Sequence, residues 1–452
     1  MLFERFEAEG LAHYSYLVGD GNEAAVVDPR RDASVYVERA HRAGMRIAYV
    51  LETHRNEDYV IGSSELAAAT GATVLHSGEG DLDFGYGESI YDGEAMSIGR
   101  LSLKALHTPG HTLGHMSYLL HDPDGEPWVV FSGDALFAGD VGRTDFYGES
   151  RLDEITGLLY DSLFHKILPL GDELIVCPGH GAGSVCGSAI AERMWTTIGL
   201  ERKHNPKLQY TDRDAFVANV GAVLEYPPYF RMMEKLNLEG APVIGRMPTV
   251  PPLGPHEFAA QATGAQIVDT RSEVGFGAAH VPGALSIWEG GLPSFAGWFL
   301  TYDRPILLVG ETNDVSGAVR HLMRTGYDNV AGFLAGGMLA WHKAGLGSKS
   351  IETVTVQDLC HRLDEGEAPW ILDVRSAEEL EQNAIPAAHH VHLTQLPEHI
   401  DEVLEGQRIY VFCGSGLRSM LAASLIQREG YDKLTVVLGG LAGWSSVSCP
   451  LR

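Results

Sequence analysis

The sequence predicts an α/β protein of three domains, a layered N-terminal domain followed by two copies of a smaller domain with a parallel sheet. Two observations predict this class. Short apolar strands alternate with helical patterns along the chain, and the last two hundred residues repeat themselves at an offset of 104 positions. The length of 452 residues agrees, because roughly 150 residues per domain suggests about three domains.

The N-terminal part contains apolar runs that are typical of strands: YSYLVG, EAAVVDP, ATVLHS, LSLKALHTP, WVVFSGD and ELIVCPGHG. Helical patterns separate them, and a helical stretch is predicted from about Asp212 to Leu238. The Pro-rich segment MPTVPPLGP, residues 247–255, is the natural linker. We therefore expect domains at residues 1–246, 247–350 and 351–452.

The two C-terminal domains are recognisable as copies of one another. Asp269 aligns with Asp373, the segment HVPGA with the segment that contains Pro386, and Gly326 with Gly430. Near Trp341 the offset slips to 103. In each copy, strands (QIVD and PILLV; WILDV and IYVFC) alternate with helices (SGAVRHLMRTG; SMLAASLIQREG), which predicts a parallel sheet.

Composition excludes several classes of partner. A formal charge of -27 disfavours nucleic acid and anionic membranes. No apolar stretch approaches the roughly 20 residues that cross a bilayer, and the N-terminus lacks a signal-peptide pattern, so we expect a cytoplasmic protein. Five cysteines, an odd and scattered number, argue against a disulfide framework. Cys177, Cys360 and Cys449 are expected to be structural.

Four motifs place metal-capable side chains directly after predicted strands, where loops can gather them at one sheet edge. The motifs are ETHRNEDY, HTPGHTLGH, FSGDALFAGDVGRTDF and CPGHG. They supply the candidates His54, Asp58, His111, Asp134 and His180. One histidine in a loop is more often a surface or hydrogen-bonded residue than a ligand, but four motifs in this order favour a metal site.

These motifs resemble the metallo-β-lactamase fold, in particular its glyoxalase II and persulfide dioxygenase branch, over about residues 1–245. The resemblance implies an αββα sandwich. In the family the first motif reads His-x-His-x-Asp-His, whereas Asn56 and Tyr59 replace two of its histidines here. What survives at the first metal position is His54, His111 and Asp134. Two histidines and one carboxylate are typical of non-haem Fe(II) oxygenases, so we expect one Fe(II) per chain.

The remaining residues of this region have more than one interpretation. We expect Asp58 and His180 to hydrogen-bond around the iron instead of holding a second metal, and Asp58 could also cap a helix beginning at Tyr59. Arg143 is expected to pair with Asp145, and by resemblance it could orient an anionic thiol. Cys186, six residues beyond His180, is a candidate sulfur relay or a buried structural cysteine.

The last repeat contains a nucleophile loop. The strand IYVF leads directly into Cys413, and the loop continues with Gly414, Ser415, Gly416, Leu417 and Arg418 before a helix. Backbone N-H groups and the helix dipole converge at such a position, which lowers a thiol pKa and stabilises an anionic adduct.

Together with ILDVRSAEEL and GGLAGW, this loop resembles the rhodanese family over about residues 353–452. The resemblance implies that Cys413 accepts a sulfane sulfur as a persulfide, that Gly414 to Leu417 cradle it, and that Arg418 assists. Dual-specificity phosphatases share the architecture, but their loops are typically one residue longer. The segment from Asn383 to Pro386 departs from the family's Gly-His-Ile-Pro.

The middle copy keeps the fold signature without the nucleophile. The offset of 104 places Val309 at the position of Cys413 and Asp314 at that of Arg418. We therefore predict a catalytically inactive rhodanese-like domain with a structural or docking role.

The combined reading is a fusion enzyme. A low-molecular-weight thiol persulfide would be oxidised by O2 to sulfite, and Cys413 would form thiosulfate from sulfite or use thiosulfate in the reverse direction. Two alternatives stay open: a dinuclear zinc thioester hydrolase of glyoxalase II type, and a non-oxidising sulfur carrier or sensor. We expect a homo-oligomer, and no motif identifies the thiol.

Overall fold

The computed structural model describes residues 1–80, 82–187, 189–385, 388–403 and 407–444. The predicted turn residue Pro386 and the predicted structural Cys449 lie outside the described residues. Contacts divide the chain into two compact units, Met1–Pro248 with Met323–Gly326, and Thr249–Leu322 with Tyr327–Arg452.

The N-terminal unit contains two six-stranded mixed sheets. The first sheet has the order β1 to β6: Leu2–Ala8, His13–Asp20, Glu23–Val27, Arg46–Leu51, Thr73–Ser77 and Glu88–Ile90. The second has the order β12 to β7, and its strands β7 to β12 are Ala95–Ile98, Leu101–His107, Met116–His121, Pro127–Gly133, Ile175–Pro178 and Thr196–Thr197. The apolar runs read from the sequence are strands of these two sheets.

The two sheets pack face to face around one apolar core. Residues of both sheets fill it, among them Tyr16, Val27, Leu103 and Phe131. The strands alternate inward apolar residues with residues that face outward, as a sheet with two covered faces requires. The strand ends therefore meet at the rim of a rigid sandwich.

Helices cover both outer faces. The helices α1 to α6 are Ser34–Arg42, Ser63–Thr70, Leu152–Ser162, Ile198–His204, Arg213–Val220 and Phe230–Glu239. Residues of α1 and α2, such as Tyr36 and Leu66, pack on the first sheet. Residues of α3 and α5, such as Leu159 and Phe216, pack on the second. The predicted αββα sandwich is confirmed.

The helical stretch predicted from about Asp212 to Leu238 is interrupted in the structure. The structure has two helices, α5 and α6, and residues 221–229 between them are not helical. This interval contains Pro227 and Pro228, which disfavour helical backbone before them and remove amide donors.

The second unit contains the two predicted parallel sheets. The middle domain has the order β13-β17-β16-β14-β15, and its strands β13 to β17 are Pro252–Leu253, Gln266–Asp269, Leu285–Ser286, Ile306–Val309 and Val330–Leu334. Its helices α7 to α11 are Pro255–Ala262, Glu273–Ala278, Leu292–Phe299, Ser316–Arg324 and Gly337–Lys343. The predicted linker therefore ends early, because β13 and the start of α7 lie inside it.

The last domain repeats this arrangement, with the order β18-β22-β21-β19-β20. Its strands β18 to β22 are Glu352–Thr355, Trp370–Asp373, His389–His390, Ile409–Phe412 and Leu434–Leu438. Its helices α12 to α16 are Val356–Asp364, Ala377–Gln382, Ile400–Val403, Leu417–Arg428 and Gly440–Trp444. β21, like β16 in the middle copy, has a neighbouring strand on each side. The loop that follows it therefore lies at the middle of the sheet's C-terminal edge.

Two further expectations concern the chain as a whole. Among the described residues, no helix has the length and apolarity needed to cross a membrane. Cys177, Cys186 and Cys413 are free and buried. Cys360 is disulfide-bonded, which the odd and scattered cysteine count does not predict.

Candidate metal and sulfur sites

Three of the predicted ligands meet in the N-terminal sandwich. His54, His111 and Asp134 follow β4, β8 and β10, and their ligand atoms all lie within 4.8 Å of one another. Nε2 of His54 lies 3.8 Å from Oδ2 of Asp134, and Nε2 of His111 lies 3.6 Å from the same oxygen. All three side chains are buried.

The donor atoms fit a metal ion. Within the described part of the chain, Nε2 of His54 and Nε2 of His111 have no hydrogen-bond partner. Leaving two buried nitrogens unpaired costs free energy, which a bound cation offsets. Bonds of about 2.0–2.2 Å to one ion hold neighbouring donor atoms roughly 3–4 Å apart, as found here.

The two imidazole rings are oriented through their other nitrogens. Nδ1 of His111 lies 2.9 Å from the carbonyl oxygen of Arg143, to which we assign it as donor. Nδ1 of His54 lies 2.9 Å from Oγ1 of Thr53, which in turn donates to Asp28 at 2.7 Å. Burial lowers the pKa of both histidines, so each is neutral with its Nε2 lone pair towards the centre.

Asp134 is held on two sides. Nδ1 of His180 lies 2.9 Å from both carboxylate oxygens, and the Asp134 amide donates to Nε2 of His115 at 3.0 Å. Burial lowers the pKa of His115 to about 3, so its ring is neutral and can accept this bond. Thr108 contacts the opposite nitrogen of His115. This arrangement fixes the carboxylate before any ligand binds.

Asp58, His180 and Cys186 form a second cluster, and their ligand atoms also lie within 4.8 Å of one another. Nε2 of His180 lies 3.0 Å from Oδ2 of Asp58, without hydrogen-bond alignment. Burial and the Asp58 charge raise the pKa of the Cys186 thiol well above its usual range. Because His180 also contacts Asp134, this second cluster lies beside the first, as the sequence motifs imply.

Asn56 and Tyr59, which replace two histidines of the family motif, make contacts within the protein. The amide of Asn56 donates to the carbonyl oxygen of His54 at 3.3 Å, and the Tyr59 ring lies 3.9 Å from that of His13. The expectation that Asp58 caps a helix is wrong, since residues 57–59 form bends and α2 begins at Ser63.

Arg143 buttresses the loop that follows Asp134. Its guanidinium makes two bonds of 2.7 Å to Asp145, and the other N-H groups reach the carbonyl oxygens of Val185, Leu224 and Glu225. Every donor is engaged and the side chain is buried, which favours the structural role over substrate binding. Neighbouring Gly142 has no room for a side chain, because a Cβ there would lie 1.9 Å from the Asp134 carbonyl oxygen.

Glu57 is one of several buried residues at this site that the sequence motifs did not predict. Glu57 pairs with Arg55 at 3.0 Å through Oε1, whereas its Oε2 lies 3.8 Å from Nε2 of His111. Burial raises the pKa of Glu57 to about 8. Its only sequence signal is an acid inside the first motif. Asp28, Thr53 and His115 were also missed, although His115 stands in the HTLGH motif.

The predicted nucleophile Cys413 lies at the end of β21 and is buried, and the Gly416 amide donates to its Sγ at 3.1 Å. The loop carbonyl oxygens are held from behind. Those of Cys413, Gly414 and Ser415 accept bonds of 2.9 Å each from the amides of Leu441, Ala442 and Gly439. The GGLAGW segment therefore holds the backbone of the loop from which the Gly416 amide reaches the sulfur.

Gly440 makes this contact possible. Its φ is +45°, and a Cβ at this position would lie 2.2 Å from the carbonyl oxygen of Cys413. A side chain would therefore displace the nucleophile loop.

Arg418 has a partner that the sequence did not reveal. Its guanidinium makes two bonds of 2.7 Å to Glu379, and Glu379 also closes the capping box of α13 with Ser376. A Cβ on Gly414 would lie 3.1 Å from Nη2 of Arg418, so the guanidinium adjoins the loop. The hydrogen bonds from Arg418 lower the pKa of Glu379, which keeps this pair ionised.

In the middle domain, the strand register shows that the predicted position of the Cys413 counterpart is wrong by one residue. Asp269 pairs in register with Val309, whereas its counterpart Asp373 pairs with Phe412. Gly310, and not Val309, therefore occupies the position of Cys413. From the last residue of the strand, Val309 or Phe412, to the shared glycine, Gly326 or Gly430, the middle copy is one residue shorter, so the offset is 103 at the strand and 104 at the glycine. Neither residue carries sulfur.

Comparison with known proteins identifies both parts of the chain. The metallo-beta-lactamase superfamily model matches residues 8–180, and the rhodanese-like domain model matches residues 255–344 and 355–447. Hydroxyacylglutathione hydrolase GloC of Haemophilus influenzae is 30% identical over 43% of this chain and 91% of its own length. Persulfide dioxygenase ETHE1 of Homo sapiens is 30% identical over 43% of this chain and 71% of its own length.

A solved structure matches a larger share. A metallo-beta-lactamase from Staphylococcus aureus subsp. aureus COL aligns with a TM-score of 0.66 and 31% identity over 74% of this chain and 98% of that one. These similarities confirm the resemblances and the order of domains that the motifs predicted.

Proposed function

The chain is an enzyme that belongs to the metallo-beta-lactamase superfamily and carries two rhodanese-like domains, and we propose that it is an iron-dependent persulfide dioxygenase fused to a sulfurtransferase. The observation that carries the proposal is the donor set. Two unpaired imidazole nitrogens and one carboxylate converge at a buried point. Such a triad is typical of non-haem Fe(II) oxygenases and leaves positions open for substrate and O2.

The proposed reaction balances without a further reductant. A thiol persulfide, O2 and water give the thiol, sulfite and two protons (RSSH + O2 + H2O → RSH + SO3²⁻ + 2 H⁺). The sulfane sulfur loses four electrons and O2 accepts them, while the S–S bond breaks and the proton stays with the leaving thiol. Bound Fe(II) would supply the binding of sulfur and O2 and their electron transfer.

The chain's own residues would hold and enclose this chemistry. His54 and His111 offer neutral imidazoles, because Thr53 and the Arg143 carbonyl oxygen fix the proton on Nδ1. His180 and His115 hold Asp134 in place. The burial of these groups excludes bulk water from the reacting centre.

The second half reaction belongs to Cys413. Its thiolate would take the sulfane sulfur of a second thiol persulfide and release the thiol. Sulfite would then attack the outer sulfur of the Cys413 persulfide, giving thiosulfate and the free thiolate. The amides of the loop and the Arg418 guanidinium would stabilise the negative charge of both anions. The middle domain, with Gly310 in place of the cysteine, would take no part in this chemistry.

Oxygen uptake and metal content test the first activity together. Protein purified without added metal should contain about one iron per chain and consume O2 with glutathione persulfide. His54→Ala should reduce both by more than about 100-fold, since even changes around metal ligands cost roughly 10–100-fold. His165→Ala, an exposed histidine of the same unit, is the matched control. Two zinc ions per chain without oxygen uptake would refute the dioxygenase.

A zinc-dependent thioester hydrolase is the second candidate, and two observations favour it. The Haemophilus influenzae relative bears a hydrolase name at 30% identity. The cluster of Asp58, His180 and Cys186 could also hold a second ion. This alternative requires hydrolysis of S-lactoylglutathione that depends on two zinc ions, and its absence would exclude the hydrolase.

A further inference from the structure

Glu57 is a buried carboxylate with one committed and one free oxygen. Oε1 accepts a hydrogen bond from Arg55 at 3.0 Å. Oε2 is buried and, among the described residues, accepts no hydrogen bond. Oε2 lies 3.8 Å from Nε2 of His111, which is itself unpaired.

Oε2 of Glu57 and Nε2 of His111 are two buried polar atoms that face each other without a hydrogen bond between them. Nδ1 of His111 lies 2.9 Å from the Arg143 carbonyl oxygen, which can only accept, so Nδ1 carries a proton and Nε2 is left to act as the acceptor. An unpaired carboxylate oxygen beside that lone pair costs free energy in a buried site. A metal ion offsets the cost for both atoms at once.

The distance between Glu57 and His111 agrees with a shared ion. The separation of 3.8 Å between Glu57 and His111 matches the 3.6 Å and 3.8 Å separations of Asp134 from the two histidines. Donor atoms on one six-coordinate ion with bonds near 2.1 Å lie between about 3.0 and 4.2 Å apart. Glu57 is not part of the 4.8 Å cluster of His54, His111 and Asp134, so its side chain must move towards the other two ligands to reach the same ion.

We propose that Glu57 is a fourth protein ligand, which makes the site one of two histidines and two carboxylates. The inference rests on the proposed function for the presence of the metal. It also accounts for the first motif, because Asn56 gives its side chain to the His54 carbonyl oxygen and the next residue supplies a ligand instead. Two carboxylates neutralise a divalent ion and leave two open positions.

Glu234, the second carboxylate bound to Arg55, provides a matched control for Glu57. Arg55 binds two carboxylates at 3.0 Å each, Glu57 and Glu234. Glu234 lies on α6, and its Oε1 also accepts the hydroxyl of Tyr226. Glu57 and Glu234 both bind the Arg55 guanidinium, but of the two only Glu57 has an oxygen, Oε2, near Nε2 of His111.

Cobalt(II) titration of the metal-free full chain, followed by visible absorption, tests the ligand. Glu57→Gln should weaken cobalt binding about 10-fold or more and change the d–d spectrum. Glu234→Gln should leave both unchanged, and Glu57→Asp should retain part of the affinity. Circular dichroism separates loss of ligand from loss of fold.

The outcomes separate the two proposals. Wild-type affinity and spectrum in Glu57→Gln would overturn the ligand role while leaving the dioxygenase intact. Cobalt binding that depends on Glu57, in a protein that consumes no O2 with iron, would support the ligand and contradict the dioxygenase. A wild-type chain that binds no cobalt would overturn the ligand role.

Discussion

Nδ1 of His180 lies 2.9 Å from each carboxylate oxygen of Asp134, so this histidine bonds to the ligand through the nitrogen nearest its backbone. Its Nε2 lies beside Asp58. The contact with Asp134 predicts that His180 positions a ligand and is not one itself. His180→Ala should lower iron affinity by about 10–100-fold, as expected for loss of an orienting hydrogen bond.

His180→Asn is the informative partner of that variant. The asparagine amide can take the place of Nδ1 but has no group at the position of Nε2. Iron affinity near that of the wild type in His180→Asn, measured by competitive chelation, would support a positioning role. If both variants lose a metal ion to the same extent, His180 is a ligand and the dinuclear alternative gains support.

Thr53 connects His54 to a buried acid. Its hydroxyl lies 2.9 Å from Nδ1 of His54 and donates to Oδ2 of Asp28 at 2.7 Å. Thr53→Val keeps the shape and removes the hydroxyl, so the Asp28 oxygen loses its partner at a cost of about 1–3 kcal/mol. We expect a lower melting temperature and weaker iron binding. Thr53→Ser keeps the hydroxyl and should differ little from the wild type; equal losses in both variants would refute this role.

The Arg418–Glu379 pair predicts a pH dependence of stability. The pKa of Glu379 is lowered by the hydrogen bonds from Arg418. The contribution of the pair is therefore fully present above the unfolded-state pKa and is lost as the pH falls through the lowered pKa of the folded state. Because Glu379 is about one-third exposed, we expect less than about 1 kcal/mol. Thermal unfolding between pH 7 and pH 3 should depend less on pH in Glu379→Gln.

The same variant should change sulfur transfer. Without the carboxylate charge, Arg418 is less firmly held beside the loop, so the KM for sulfite should rise about 3- to 10-fold with a smaller change in kcat. Glu378→Gln removes the neighbouring acid and should leave KM unchanged. A proportional effect of both variants would indicate a general loss of surface charge.

Cys413 should separate the two activities. Cys413→Ser should abolish thiosulfate formation while sulfite formation and oxygen uptake continue, because the metal site lies in a different domain. Ion chromatography of sulfite and thiosulfate from one reaction measures both. Thiosulfate formed at the wild-type rate would show that Cys413 is not the sulfur carrier.

The sequence predicts the site residues that directly follow a strand. His54, His111 and Asp134 were predictable because each follows a strand within a short loop. Glu57 was not, because its contact with His111 depends on how an irregular segment turns. Glu379 lies 39 positions from Arg418, and only the packing of α13 beside the nucleophile loop joins them. The interval between β16 and Gly326 is one residue shorter than its counterpart between β21 and Gly430, which an ungapped offset cannot detect.

The corrected register of the middle domain can be tested with two cysteine variants. In a Cys413→Ser background, Gly310→Cys should place a thiol at the start of the loop, whereas Val309→Cys should place it in the buried strand β16. We expect iodoacetamide to modify the first at least about 10-fold faster, since thiols in apolar surroundings have raised pKa values.

The Gly310→Cys variant has little room for its new side chain. A Cβ on Gly310 would lie 2.9 Å from the carbonyl oxygen of Thr312, so the middle loop must shift slightly to accept the side chain. Unfolding temperatures of both variants identify any general loosening. Faster modification of Val309→Cys in a folded protein would restore the offset of 104 at this strand and overturn the register. Gly310→Cys should still transfer no sulfur, because the middle loop, residues 310–315, contains the acids Glu311 and Asp314 and no basic residue that could stabilise an anion.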